Sequence, residues 1–520
     1  MIALLVTVGL NARPSSTAAT YSGDPNDFVI TVQTDNSGTT ADDQFRFPAI
    51  ASGFNSNYNI DCNNDGTLEA SAVSGYYTCD YSALGGAGTY TVRVEDNSGD
   101  LTGLEYVNFH AGGDRLKLVS IENWGTSKWK SFQNMFHSAG TVAFNASDTP
   151  DTSAVTTMRA MFYAARTITP NTSGWDTSSV TDMGNMFHGA WAATPDTGGW
   201  NTGAVTDMGE MFRDARVANP DTSGWNTSAV VQMDNVFYDA FIAQPDTSGW
   251  DTSNVTDMRA MFHRARMAEP DTSGWDTSKV TRMGHMFQEV RNGNPDTSGW
   301  DTGQVTNMAY MFSGAWAAEP DTSGWDTSSV TSMSNMFRDA QVANPDTSGW
   351  NTGNVTDITT MFYKARLANP DVSNWDTSNV TNMSGLFHTA VTANPDVSNW
   401  DTSNVTNMSG IFANARVANP DVSNWDTTNV TNMAYLFYGA WEAQPDVSAW
   451  DTANVTTMYR MFYDAKVANP DVSNWDTSAV TDMFQLFTYA REANPDVSNW
   501  NTSNVTNMSG LFHTAVTANP

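Results

Sequence analysis

Asp61, Asn63, Asp65 and Glu69 lie within Asp61-Cys-Asn-Asn-Asp65-Gly66-Thr-Leu-Glu69. Hard divalent cations take oxygen ligands at this kind of alternating spacing, so the segment is a candidate calcium loop; Asn64-Asp65-Gly66 reads equally as a hairpin turn. The only two cysteines, Cys62 and Cys79, sit inside and just beyond it. The chain between them is long enough to fold back, so they form a disulfide in an exported protein or remain two inert thiols. Aspartate also recurs after each of a series of tryptophans and again after a series of prolines. Such acidic ladders would attract Ca²⁺ or would cap turns. Asparagine at 201, 226, 351 and 501 favours the cap, because a turn hydrogen bond tolerates that exchange and a strong ion site does not. Trp191, Trp316 and Trp441 recur at 125-residue spacing and are candidate exposed aromatic anchors, with extra packing as the alternative. His188, His263, His388 and His513 occupy a slot that elsewhere holds Tyr, Arg, Ser or Gln, which reads as solvated surface. No nucleophile elbow, phosphate loop, zinc-helix motif or paired-cysteine site occurs, so no catalytic residue and no resident cofactor other than candidate calcium is expected.

The elements that must hold these groups are set by a repeat. Tryptophan falls at every 25th residue from Trp175 to Trp500. A representative unit is Trp250-Asp-Thr-Ser-Asn-Val255-Thr-Asp-Met258-Arg-Ala-Met261-Phe262-His-Arg-Ala265-Arg-Met-Ala-Glu-Pro270-Asp-Thr-Ser-Gly274. Met258, Met261, Phe262 and Ala265 sit at i, i+3, i+4 and i+7, which predicts a two-turn helix ended by Pro270. The Asp-Thr-Ser-Gly-Trp that follows predicts a short parallel strand. Trp250, Val255, Met258, Met261, Phe262 and Ala265 are the expected core. One unit cannot bury them alone, but stacked units can, as a rod or arc roughly 70 Å long at strand spacing. The units run from 151 to the end. The last breaks off at Pro520, just before its expected strand, as a longer array cut short or an end that stacks on another molecule would do. Blocks of five units also repeat, and 377–395 is identical to 502–520.

Ahead of the array, 24–112 alternates in short apolar runs such as Phe28–Val32 and Thr89–Val94, separated by Gly/Asn/Asp turns, and predicts a small antiparallel β-sandwich. Residues 113–150 read as a capping coil around Trp124, Trp129 and Met135-Phe136, and 1–23 as a signal-like leader without a basic start. The expected class is therefore an α/β solenoid of 25-residue coils, each a short parallel strand plus a short helix, behind a β-sandwich.

Charge narrows the partners. With 24 basic and 56 acidic residues, the net charge of −32 repels phosphate backbones, so nucleic acid is not an expected partner. The cations are scattered, with no basic run. No apolar stretch reaches the roughly 18 residues of a membrane span.

The unit Trp-Asp-Thr-Ser-Asn-Val-Thr-Asn-Met-Ser-Gly-Ile-Phe at 400–412, repeated over about 120–520, resembles the BspA-like bacterial surface repeat family. That resemblance implies a right-handed, leucine-rich-repeat-like solenoid, placement on the cell surface or secretion, and an adhesive or ligand-binding role. The expected function is a non-enzymatic scaffold that binds a protein or glycan through its solenoid face. The alternative is a spacer or filament subunit whose ends self-associate.

Overall fold

The structure, a computed structural model, describes residues 24–518. The signal-like leader 1–23 lies outside them. In the N-terminal part, a six-stranded sheet has the order β4 (Ala70–Val73), β3 (Tyr58–Asp61), β6 (Thr89–Asp96), β1 (Phe28–Gln33), β7 (Leu118–Asn123), β8 (Ala143–Phe144). A two-stranded sheet, β2 (Gln44–Phe47) with β5 (Tyr77–Asp80), completes it. Pairing is antiparallel except for β7 with β8. Alternating apolar residues build the core between the sheets: Phe47 of β2 meets Phe28 of β1 at 6.3 Å and Tyr58 of β3 at 5.4 Å between ring centres. Strand β7 lies beyond residue 112, so the sheet draws on the segment read as a capping coil. Trp124, next to β7, packs on Phe28 at 5.9 Å and Trp175 at 6.4 Å, joining this sheet to the first coils.

The repeats stack, but not as the expected α/β coil. Among the described residues the one helix is α1 (Phe109–Gly112), outside the array. The reason lies in where the amides of 258–265 go. Those of Met258, Ala260, Phe262 and Arg264 donate to the carbonyls of Arg282, Gly284, Met286 and Gln288 in the next coil, at 3.0, 3.0, 3.0 and 2.7 Å. Those of Met261, His263 and Ala265 close turns onto carbonyls three residues back. Ala260 (φ 50°) and Arg264 (φ 60°) are left-handed, so the chain reverses every four residues and no i→i−4 bond can form. Two four-residue turns in tandem produce the same i, i+3, i+4, i+7 apolar stripe as a helix. The parallel strand is corrected as well. Parallel pairing is one bridge per coil, Asp257 with Arg282 for example, on the Val-Thr-Asp side, and the segment after Pro270 is turn. With neither helix nor strand in the coil, the leucine-rich-repeat likeness falls.

Side chains complete the stack. Trp250, Val255, Met258, Met261, Phe262 and Ala265 are all buried. From Trp225 to Trp450 neighbouring indoles lie 6.2–6.3 Å apart with planes within 5°. A parallel phenylalanine column runs beside them; Phe262 and Phe287, for instance, are 5.8 Å apart. Two buried threonines per coil tie neighbours together: Thr252 and Thr272 hydroxyls donate to the carbonyls of Asp276 and Asp296 at 2.9 and 2.6 Å. From residue 372 onward valine replaces the second of them.

Candidate functional site

The tandem turns project their variable residues to one side of the stack. The position of Arg266, read at 25-residue intervals, holds Arg166, Arg216, Arg266, Arg291, Arg366, Arg416, Lys466 and Arg491. Eight of the 24 cations, scattered in sequence, thus share one column. Its aromatic members are interleaved with them. Trp191 lies between Arg166 and Arg216, whose guanidinium carbons are 4.3 and 4.7 Å from the ring centre. Arg216 and Arg266 likewise flank Phe241 at 5.7 and 5.3 Å. Arg291 covers Trp316 at 4.2 Å. Trp441 sits between Arg416 at 4.2 Å and Lys466 at 3.2 Å. Each cation meets the negative face of a ring, an attraction of about 0.5–2 kcal/mol. Trp191 and Trp316 are 37% and 43% exposed, and Trp441 is half-buried.

A second column carries the histidines; His188, His263 and His388 are half-buried in it, and His513 is exposed. Tyr163 stacks on His137 at 4.7 Å and approaches His188 at 4.5 Å; Tyr238 meets His263 at 4.5 Å and Tyr363 meets His388 at 4.6 Å. Burial within this column pushes the His263 imidazole down to about 4, so it is neutral at pH 7.

The carboxylate ladders lie on other turns and are self-satisfied. The Ser248 amide and hydroxyl donate to Asp246 at 3.1 and 2.7 Å, and the same pair recurs at Asp296, Asp346 and Asp396. These bonds hold the aspartates below the usual carboxylate range. Where asparagine stands in the ladder after tryptophan, its oxygen does the same work: the Ser228 amide donates to Asn226 at 3.1 Å.

The four loop residues of the N-terminal sheet do not fit a calcium ion. Asp61 is fully buried and accepts from the amides of Asn63, Asp65 and Gly66, with Arg93 at 3.3 Å. Glu69 accepts from the Cys62 amide at 2.6 Å, and Asn63 donates to Asp65 at 3.0 Å. The carboxylates therefore close a hairpin, and Asp61 is already paired with the Arg93 guanidinium. Among the described residues no group of three or more His, Cys, Asp or Glu is arranged to hold a metal. Cys62 and Cys79 are joined as a disulfide, with α-carbons 5.7 Å apart.

Fold and surface together define a repeat protein: a helix-free stack of 25-residue coils with a constant interior and one variable face. No curated protein and no solved structure matches the chain. The family described as "Mycoplasma protein of unknown function, DUF285" matches residues 130–247, 240–349, 333–444 and 412–520, and the chain belongs to it. The resemblance to the BspA-like family is corrected by the same finding, since that family gives no match to the array.

Proposed function

We propose that this chain is a non-enzymatic, exported binding scaffold that engages a ligand on a cell or matrix surface through the cation–aromatic column. The observation that carries the reading is the segregation of variability. Copy to copy, the buried Trp, Val, Met and Phe hardly change, whereas positions 259–260, 263–264 and 266–267 and their equivalents differ and share one face. Repeat proteins vary the residues that meet partners and keep those that meet neighbouring coils. Arginine and tryptophan, the residue types that dominate binding hot spots, are concentrated there. The disulfide suits an oxidising compartment, which supports export. Among the described residues no helix is long and apolar enough to cross a membrane.

The test is binding of the full chain to arrays of glycans and matrix proteins, repeated with Arg216→Ala/Arg266→Ala. A ligand whose retention falls at least tenfold in the double variant supports the scaffold. An array on which nothing binds rejects it.

A further inference from the structure

The three column tryptophans belong to a recurring constellation. On one coil stands Arg166, on the next Gly189 and Trp191, on the third Asp214. The set returns as Arg291, Gly314, Trp316, Asp339 and again as Arg416, Gly439, Trp441, Asp464. Block duplication copies everything at first, but the surroundings have since diverged: Tyr163 corresponds to Gln288 and Ala413, His188 to Ser313 and Tyr438, and Glu210 to Asn335 and Arg460. The quartet is unchanged in all three.

Its geometry is that of a shallow niche. The first two copies enclose about 210 and about 280 Å³, each walled by its Arg, Trp and Asp and opened by its Gly. In the other complete coils the glycine position carries a side chain. Here φ is +69°, +69° and +61°, and a β-carbon would approach the preceding coil at 3.4, 3.3 and 2.5 Å. Glycine is thus what keeps the niche floor clear. No ion pair among the described residues uses Asp214, Asp339 or Asp464, though Asp339 accepts from Gln341 Nε2 at 2.5 Å. In the third copy the carboxylate accepts from Trp441 Nε1 at 3.0 Å, so the acidic group reaches the indole edge.

A guanidinium supplies only donors and a carboxylate only acceptors, so a ligand that uses both must offer acceptor and donor side by side, as the hydroxyls of a sugar ring do. The volumes fall below the roughly 300 Å³ at which drug-sized pockets begin, matching one ring-sized polyol. The carboxylate and the protein's net charge of −32 disfavour anionic sugars. Five coils at about 4.8 Å place successive niches about 24 Å apart along the stack. Resting on the scaffold reading, we propose that these niches are subsites for uncharged sugar residues of one glycan strand, engaged in parallel.

The experiment is affinity electrophoresis and calorimetry of the full chain with soluble mannan, galactomannan, xyloglucan and laminarin, each also as a trisaccharide, and with heparin as an anionic polymer. The expected result is binding to at least one neutral polymer, insensitive to salt, at least tenfold weaker for its trisaccharide because a short chain fills one niche only. Asp214→Asn/Asp339→Asn/Asp464→Asn should weaken polymer binding at least tenfold with an unchanged melting temperature, and Asp339→Asn alone should weaken it less. Neutral-polymer binding retained by the triple variant would overturn the niches and leave the scaffold. Binding only to heparin or to array proteins would do the same. Failure of every probe would reject both.

Discussion

Replacing Trp325 by alanine removes one indole from the middle of the tryptophan column, where it is 4% exposed and lies 6.3 Å from Trp300 and from Trp350. Burying an aromatic of this size removes about 150–250 Å² from water, worth about 4–6 kcal/mol at 25 cal/mol/Å² as an upper bound, which a compact unfolded chain lowers by about 10–40%. Loss of two stacking contacts acts in the same direction, and measured Trp→Ala changes in cores fall at about 3–5 kcal/mol. In a linear stack each coil touches only its two neighbours, so the loss stays local. Hydrogen exchange read by mass spectrometry should therefore show a drop in opening free energy of about 3–5 kcal/mol confined to the coils around Trp325. Trp500, partly buried and stacked on Trp475 alone among the described tryptophans, should cost about half as much. A change below about 1 kcal/mol at Trp325, or equal changes at both sites, would refute the column as the source of cohesion.

The hydroxyl-capped aspartates predict acid lability. Their folded pKa values are depressed, so their contribution is complete above the unfolded value near 4 and is lost as pH falls through the lower folded values. Melting temperature should be flat from pH 7 to 5 and fall steeply below about pH 4; a midpoint unchanged at pH 3 would contradict this. Thr272→Val should cost no more than about 1 kcal/mol, because one hydrogen bond is lost and Val372 fills the equivalent place in a later coil. A urea titration showing more than about 2 kcal/mol would disagree. Cys62→Ser/Cys79→Ser should destabilise the N-terminal sheet by about 3 kcal/mol while leaving the central coils unaffected, as exchange protection of residues 58–80 would report.

The period and the interior were legible in the chain because each core position repeats the same apolar type 25 residues later. Val255, Met258 and Phe262 needed no coordinates to be placed together. The helix was misread because spacing alone cannot distinguish a helical stripe from tandem turns. The distinguishing signal was present in Asn185 with Gly189 and Asn235 with Asp239: residues that tolerate left-handed backbone, four apart, where a helix would not favour them. The cation column was hidden because its members are at least 25 residues apart, and a search for basic runs cannot see a ladder. Reading Arg266 against its equivalents in every copy would have shown it. The charge partner of Asp61 was hidden because Arg93 is remote in sequence, and only the pairing of β3 with β6 brings it there.

In the tandem turns alternate amides reach across to the next coil and the others close turns three residues back, with no helical i→i−4 ladder, and far-UV circular dichroism of the full chain tests this most directly. A spectrum without the paired negative bands of an α-helix is the predicted result. Helical bands corresponding to about eight residues in every coil, the length of two helical turns, would contradict it.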